Sequence, residues 1–146
     1  MAQIGRYFKA SEFACPCCKK TAPSLMLVSV LDVARKAIGE PLRINSAYRC
    51  TSHNAHVGGK SQSWHLEREG TCYAADVTYV DSGKRHGEHM LKLYILLENA
   101  ARRRGVAYGL GLYSSFVHLD MRGSYKPSDG SEPAKPARWD QFPWSR

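Results

Sequence analysis

Two histidines and an aspartate give this chain the residue types of a catalytic zinc site. His65 follows the turn-prone stretch SQSW, Asp76 follows the apolar pair Ala74-Ala75, and His118 lies in the segment SFVHLDM. Catalytic zinc is typically bound by three protein groups, and a water with a pKa of about 7 takes the fourth position. The alternative is a surface loop around His65 and a structural histidine at position 118. Together the three residues predict one Zn²⁺ per chain, bound by His65, Asp76 and His118.

The acid nearest to His118 is Asp120, two positions further along the same segment. On a strand, His118 and Asp120 share one face, while Val117 and Leu119 point into the core. Asp120 is therefore a candidate catalytic residue. It could remove a proton from the nucleophilic water, or it could orient a ligand histidine. The residues alone leave both roles open, and we favour the first.

Periodicity predicts the helices and strands that must position these residues. The predicted helices span 25–38, with Ser24 as N-cap and Gly39 as stop, and 86–105, with a short helical turn over 51–59. The predicted strands span 41–48, 73–80, 107–113 and 115–121, and the last two form a hairpin around Ser114-Ser115. Because the order lacks regular βαβ alternation, we expect an α+β fold in which a small antiparallel sheet packs against helices.

Length and composition indicate one globular domain spanning 1–146. The chain has 146 residues, of which 43% are hydrophobic and 23% charged. The Pro-rich tail from about residue 123 is expected to be irregular. There is no apolar run of membrane-spanning length and no signal-peptide h-region, so we expect a protein made in the cytoplasm that needs delivery to act outside it. We also expect a monomer.

The net charge of +8 suggests an anionic partner. Nucleic acid and an anionic cell envelope are the two candidates. The one cluster of basic residues, Arg102-Arg103-Arg104, lies where a helix is expected to end, and a helix C-terminus favours cations for its own reasons. Nucleic acid is therefore the less favoured partner, and the cell envelope is preferred.

Five cysteines, at positions 15, 17, 18, 50 and 72, leave at least one thiol unpaired. The motif CPCC invites a metal-binding interpretation, but structural zinc sites usually show two separated pairs. Cys50 and Cys72 are single and far apart in sequence. A second, cysteine-bound metal and a set of ordinary thiols both remain possible.

The stretch INSAYRCTSHNAHVGGKSQSWHL, followed by AADV and GLGLYSSFVHLDMRG, resembles the M15 metallopeptidases. This family includes zinc D-Ala-D-Ala carboxypeptidases and phage peptidoglycan endopeptidases. The resemblance covers residues 8–123, and Arg138-Trp139 is also similar to the family. It implies zinc bound by His65, Asp76 and His118, a fold shared with the Hedgehog signalling domain, and cleavage of peptidoglycan stem peptides.

The resemblance also implies roles for Arg49 and Ser63. The family uses an arginine at the YR position to bind substrate, and a guanidinium can grip a carboxylate with two hydrogen bonds or polarise the scissile carbonyl. Arg49 is thus a candidate for both catalysis and substrate binding. Ser63 completes the family's S-x-H pattern and is a second candidate for substrate binding.

Two features depart from the family pattern. Ten residues separate His65 from Asp76, which is longer than the usual interval, so we expect a surface loop helped by Gly70. Glu67, Glu69 and Cys72 would then lie at the rim of the cleft. Relatives place an acid three residues, or a histidine two residues, before the last ligand histidine, but Ser115 and Phe116 occupy these positions here.

Three functions remain open. The first is a zinc peptidase acting on stem peptides, as carboxypeptidase or endopeptidase, with a phage endolysin and a virion component among its forms. The second is a zinc-binding wall or virion module that has lost activity, which the missing acid before His118 would permit. The third is a nucleic-acid binder using CPCC as part of a zinc knuckle, and it explains neither the His/Asp set nor Arg49.

Overall fold

The computed structural model describes residues 2–142 and contains two long helices, one short helix and two sheets. The helices are α1 (Leu25–Ile38), α2 (Thr51–His56) and α3 (Gly87–Arg102). The larger sheet contains β3 (Leu42–Ser46), β4 (Ala74–Tyr79), β5 (Gly109–Leu112), β6 (Val117–Asp120) and β7 (Ala137–Asp140). The smaller one pairs β1 (Gln3–Ile4) with β2 (Phe8–Lys9), and short 3-10 turns span Ala10–Phe13, Ser82–Lys84 and Arg122–Ser124.

The larger sheet has the strand order β3-β4-β6-β5-β7. All of its pairings are antiparallel except that of β7, which runs parallel to β5. Strands β5 and β6 form the predicted hairpin, since they are paired neighbours joined by a short turn. The prediction of an α+β fold with a small, largely antiparallel sheet on helices is confirmed.

Helix α1 begins and ends at the residues expected from sequence. The Ser24 hydroxyl accepts a hydrogen bond from Leu27 N–H at 3.3 Å, as an N-cap side chain does. Gly39 ends the helix with φ 74°, a left-handed conformation that glycine adopts without steric cost.

Among the described residues, no helix is long and apolar enough to span a bilayer.

The two faces of the sheet have different chemistry because side chains alternate along each strand. One face packs into the hydrophobic core with α1 and α3. Its side chains on the central strands are Ala75, Val77, Tyr79, Leu110, Leu112, Val117 and Leu119. The opposite face carries Asp76 on β4, with His118 and Asp120 on β6. The sheet thus separates an apolar core from a polar, buried face.

Strand register aligns one row of residues across this polar face. Asp76 is paired with Ser46 on one side and with His118 on the other. His118 is in turn opposite Gly111, and Gly111 is opposite Trp139. Residues that far apart in the chain therefore become neighbours through backbone pairing alone.

The expectation of an irregular tail from residue 123 is wrong for Ala137–Asp140, which form β7. The four-residue strand pairs with the edge of β5, and Gln141 N–H continues the pairing to the carbonyl of Leu112 at 2.8 Å. Arg138 also forms an ion pair with Glu98 of α3 at 3.2 Å. The signal was missed because a short edge strand after a Pro-rich segment has almost no apolar periodicity of its own.

Candidate active site

Asp76 and His118 meet because they occupy paired positions of β4 and β6, and His65 joins them from a loop. The ring of His65 is held by a hydrogen bond of 2.7 Å between Nδ1 and the carbonyl oxygen of Ala47. A carbonyl only accepts, so Nδ1 must carry the proton. With Nδ1 engaged by this carbonyl, Nε2 faces Asp76 and is the ring nitrogen that a metal ion could take as its ligand.

The three side chains present one donor atom each within 4.8 Å of one another, and all three residues are buried. Asp76 Oδ1 lies 3.1 Å from His65 Nε2 and 3.0 Å from His118 Nδ1. Two imidazole nitrogens and a carboxylate oxygen form a set that Zn²⁺ accepts. His65, Asp76 and His118 could therefore hold a metal ion.

The charges at this point are strongly coupled. Burial alone would raise the pKa of Asp76, but hydrogen bonds from His118 and His65 outweigh burial and hold the pKa below its usual value. Burial would lower the pKa of His118, whereas hydrogen bonds with Asp120 and Asp76 raise that pKa to about 9. A cation bound at His118 Nδ1 would have to replace this proton.

Asp120 lies on the far side of the His118 ring. Its Oδ2 is 2.8 Å from His118 Nε2, and both of its oxygens accept hydrogen bonds from the Arg122 guanidinium, at 2.7 and 2.8 Å. Asp120 is fully buried. Burial alone would raise its pKa, but the bonds with Arg122 and His118 lower the pKa to about 2.

Two glycines of β5 make room for this arrangement. A Cβ at Gly109 would lie 2.3 Å from Asp120 Oδ2, and a Cβ at Gly111 would lie 2.3 Å from Trp139 Nε1. The motif GLG thus removes two side chains opposite the H-x-D of β6, while Leu110 between the glycines packs in the core. Glycine in a strand often marks such a close approach.

Arg49 reaches the metal-ligand candidates from the segment after β3. Its Nη2 lies 3.7 Å from Asp76 Oδ2. Its Nε donates to Ser46 Oγ and its Nη1 to Asn54 Oδ1, both at 3.2 Å. The backbone N–H of Arg49 donates to the carbonyl of His65 at 2.9 Å, which couples the two segments. The guanidinium is therefore aimed and fixed beside the site.

A cavity of about 520 Å³ opens over these residues. The basic residues that line it are Arg49, Lys60 and Arg122. The aromatic ones are Trp64, Tyr113, Phe116 and Trp139. Ser63 also lines the cavity, and its hydroxyl accepts a hydrogen bond from His65 N–H at 3.1 Å. Within the described part of the chain, Asp76 is the single acidic residue of this lining, so the cavity favours anionic groups.

The long interval between His65 and Asp76 folds back on itself as a tight loop. Arg68 and Thr71 exchange backbone hydrogen bonds, with Gly70 at φ 89° and Glu69 at φ 49° in the turn. Arg68 then donates to the carbonyls of Ser63 at 2.5 Å and of Gln62 at 2.9 Å, and its guanidinium lies 3.8 Å from the Trp64 ring centroid. The extra loop therefore braces the segment that carries His65.

Glu67, Glu69 and Cys72 do not line the cavity, contrary to the expectation from sequence. Glu67 bonds Tyr48 and Lys20, and Glu69 bonds Tyr125 and the backbone of Ser128. Cys72 is buried, and burial raises the pKa of its thiol to about 12. The carboxylates of Glu67 and Glu69 are thus held by residues that do not line the cavity.

Three residues near the ligand candidates were not predicted as site residues: Trp139, Tyr113 and Arg122. The Trp139 ring lies 5.1 Å from that of His118, and its Nε1 donates to Tyr113 Oη at 2.8 Å. Arg122 holds Asp120. The signals were present, since GLG lies opposite H-x-D and an arginine follows two residues after the aspartate. These two patterns could be assigned to the site only once the strand register was known.

This arrangement defines the class of candidate site: two histidines and one carboxylate that could hold a metal ion, with an arginine beside them, at a cavity of about 520 Å³. The sequence model for Peptidase M15 matches residues 6–120. The chain therefore belongs to the M15 peptidase family, whose members are metallopeptidases. The predicted family membership is confirmed.

The comparison with solved structures finds the L-Ala D-Glu endopeptidase ChiX of Serratia marcescens as a similar chain. The two share 19% identity, with 65% of this chain and 77% of that chain covered and a TM-score of 0.48. No curated protein sequence matches this chain.

The packing of Trp139 over Gly111 leads to the first prediction. In Gly111→Ala the new Cβ would meet the indole at 2.3 Å, so the Trp139 ring would have to leave its present position. We expect the free energy of unfolding to fall by about 1–3 kcal/mol, as in overpacked cores. Urea unfolding measures this change.

Gly83→Ala is the matched control, because Gly83 is exposed and its nearest contact is a flexible side chain at 3.3 Å. Its unfolding free energy should stay within about 0.5 kcal/mol of the parent. Equal stability of the parent and Gly111→Ala would show that Trp139 does not depend on this glycine.

Proposed function

We propose that this M15 peptidase is zinc-dependent and hydrolyses peptide bonds in the stem peptides of peptidoglycan. The observation that carries the proposal is the convergence of His65, Asp76 and His118 on one point at the wall of a cavity. The neutral-imidazole and carboxylate donor set fits Zn²⁺ without any thiolate. Zinc bound there would supply a Lewis acid that polarises the scissile carbonyl and lowers the pKa of the water nucleophile.

The charges of the cavity support a substrate with carboxylates near the bond that is cut. Arg49, Lys60 and Arg122 line the cavity, and stem peptides carry free carboxylate groups. Arg49 is best placed to bind one of them or to stabilise charge on the carbonyl oxygen, because its guanidinium is fixed 3.7 Å from Asp76. The net charge of +8 would in addition attract the chain to an anionic cell envelope.

The aromatic wall supports the same substrate class. Tyr113 and Phe116 stack with ring centroids 4.4 Å apart, and Trp139 bonds the Tyr113 hydroxyl. A rigid apolar wall of this kind can pack against the small methyl side chains of alanine residues in a stem peptide. It also reduces access of bulk water to the reacting groups, which strengthens the electrostatic contribution of Arg49.

For Asp120 we propose the orienting role in place of the base role that we favoured from sequence. Its oxygens are engaged by His118 and Arg122, and it has no exposed surface. A carboxylate with a pKa of about 2 is also a weak base at neutral pH. It would instead fix the His118 tautomer with Nε2 protonated, so that Nδ1 is left free for the metal.

A catalytically lapsed, metal-binding wall or virion module is the second candidate. One observation favours it: apart from Asp76, the described residues that line the cavity include no carboxylate that could serve as the base. Ser115 and Phe116 occupy the positions from which relatives supply an acid or a histidine. Such a module would bind zinc and stem peptides without cutting them.

The deciding experiment incubates the purified protein with purified muropeptides and identifies the products by mass spectrometry. The peptidase predicts hydrolysis that stops on chelation, returns with added zinc and is absent from His118→Ala. Loss of a terminal D-Ala would identify a carboxypeptidase, whereas a divided stem peptide would identify an endopeptidase with a lytic role. Zinc binding without any product would establish the lapsed module instead.

Arg49→Lys tests the role of the guanidinium. Lysine keeps the charge but lacks the planar fork that binds two oxygens at once. We expect kcat/KM on muropeptides to fall by about 10²–10³-fold, the usual cost of removing a charge-stabilising donor. Zinc content should stay at the parental level. Arg43→Lys is the matched control, because Arg43 is exposed and does not line the cavity, and it should stay close to parental activity.

Asp120→Asn separates the two roles of Asp120. As an orienting residue it predicts zinc affinity lower by about 10–100-fold, with much of the rate recovered at saturating zinc. A base would give the reverse, with parental zinc affinity and turnover lower by about 10²–10⁴-fold at any zinc concentration. Zinc affinity by competition with a chromophoric chelator, together with turnover at saturating zinc, distinguishes these outcomes.

A further inference from the structure

Three of the five cysteines meet at a second point, outside the His/Asp site. The sulphurs of Cys15, Cys18 and Cys50 all lie within 4.8 Å of one another. Cys17 lies in the same loop, directly before Cys18. Cys15 is buried, Cys50 is half-buried, and the other two are exposed. The fifth cysteine, Cys72, is buried elsewhere with its thiol directed at the carbonyls of His65 and Ala74.

The separation of the sulphurs fits a single tetrahedral ion. Zn–S bonds are about 2.3 Å long, so two thiolates on one tetrahedral zinc lie about 3.8 Å apart. Cys15 Sγ and Cys50 Sγ are 3.8 Å apart. These two residues are 35 positions apart in the chain, so the fold, and not local sequence, brings the sulphurs to this distance.

The loop that carries Cys15 and Cys18 has the C-x₂-C spacing of a structural zinc site. The loop is closed by Lys19 N–H, which donates to the carbonyl of Cys15 at 2.8 Å. Lys19 itself has φ 65°, a left-handed conformation that is uncommon for a residue with a side chain. The tight turn directs both sulphurs toward Cys50.

Backbone N–H groups also point at the sulphurs. Cys50 N–H donates to Cys15 Sγ at 3.5 Å, and His53 N–H donates to Cys50 Sγ at 3.4 Å. Such bonds favour the thiolate form, which is the form that binds metal. Lys19 and Lys20 follow directly and add positive charge beside a cluster that becomes anionic when it binds an ion.

We propose that Cys15, Cys18 and Cys50 bind a second, structural zinc ion, with Cys17 of the same loop as the fourth thiolate. Thiolate ligands select zinc over calcium or magnesium, and structural zinc sites are almost always four-coordinate. A disulfide would join only two of the sulphurs and leave the others unpartnered, whereas one ion engages them all. The single zinc predicted from sequence counted only the His/Asp site, since Cys50 could not be assigned to the CPCC loop.

The site would tie the N-terminal loop to the active-site segment. Cys50 directly follows Arg49, and Tyr48 N–H already donates to the carbonyl of Phe13 at 3.2 Å. An ion held by Cys50 and the CPCC loop would fix the backbone from which Arg49 extends. The proposal does not depend on catalysis, because it concerns metal content and the fold of this segment.

The test measures bound metal in the full chain, purified with a reductant and without chelator. Elemental analysis should find two zinc ions per chain in the parent and one in Cys50→Ser and in Cys18→Ser, a twofold loss. Cys72→Ser is the matched control and should keep two. His118→Ala should keep one, held by thiolates, so failure at either site is recognised separately.

Cobalt substitution and thiol counting keep the test decisive if a cysteine variant does not fold. Cobalt in the parent and in His118→Ala should show intense near-ultraviolet sulphur-to-cobalt charge transfer, which a His/Asp site lacks. Alkylation of the native parent should spare the four clustered thiols until zinc is removed. Absence of charge transfer, free alkylation of the cluster, a disulfide within it, or iron with labile sulphide would each overturn the proposal.

Discussion

A buried carboxylate that bonds two imidazoles is the interaction on which the rest of the site depends. Asp76 cannot remain charged in the interior without partners, because an unpaired buried charge is very costly. His65 and His118 provide them at 3.1 and 3.0 Å. This requirement fixes the register of β4 on β6, since a slip of one residue would turn Asp76 into the apolar core.

From that contact a continuous network runs outward. His118 lies between Asp76 and Asp120, and Asp120 lies between His118 and Arg122. Each member neutralises or orients the next. In the described part of the chain, every buried side-chain nitrogen and oxygen has a hydrogen-bond partner. Gly109 and Gly111 are needed because they lack side chains. A Cβ at Gly109 would displace Asp120 or Arg122, and one at Gly111 would displace Trp139.

The sequence was sufficient for features that local patterns encode. Helix α1 with its caps, the β5–β6 hairpin and the shared face of His118 and Asp120 all follow from periodicity. The sequence was insufficient where pairing between distant segments decides which residues lie in the site. Trp139 enters the site only through parallel pairing with β5, and the orientation of Asp120 is set by Arg122, which alternation along a strand does not reveal. Likewise, the CPCC loop can be recognised as a candidate metal site only once the fold places Cys50 beside it.

The site therefore combines rigid and non-rigid supports. Asp76 and His118 are fixed by the hydrogen bonds of the sheet. His65 and Arg49 lie on segments with less strand pairing and are held by a few contacts. One of these is the 2.9 Å hydrogen bond from Arg49 N–H to the carbonyl oxygen of His65. Segments of this kind open most easily in native proteins. A metal ion that binds only the folded arrangement adds its binding free energy to that of folding. Binding at His65 would thus order one segment directly and, through its carbonyl, the segment that carries Arg49.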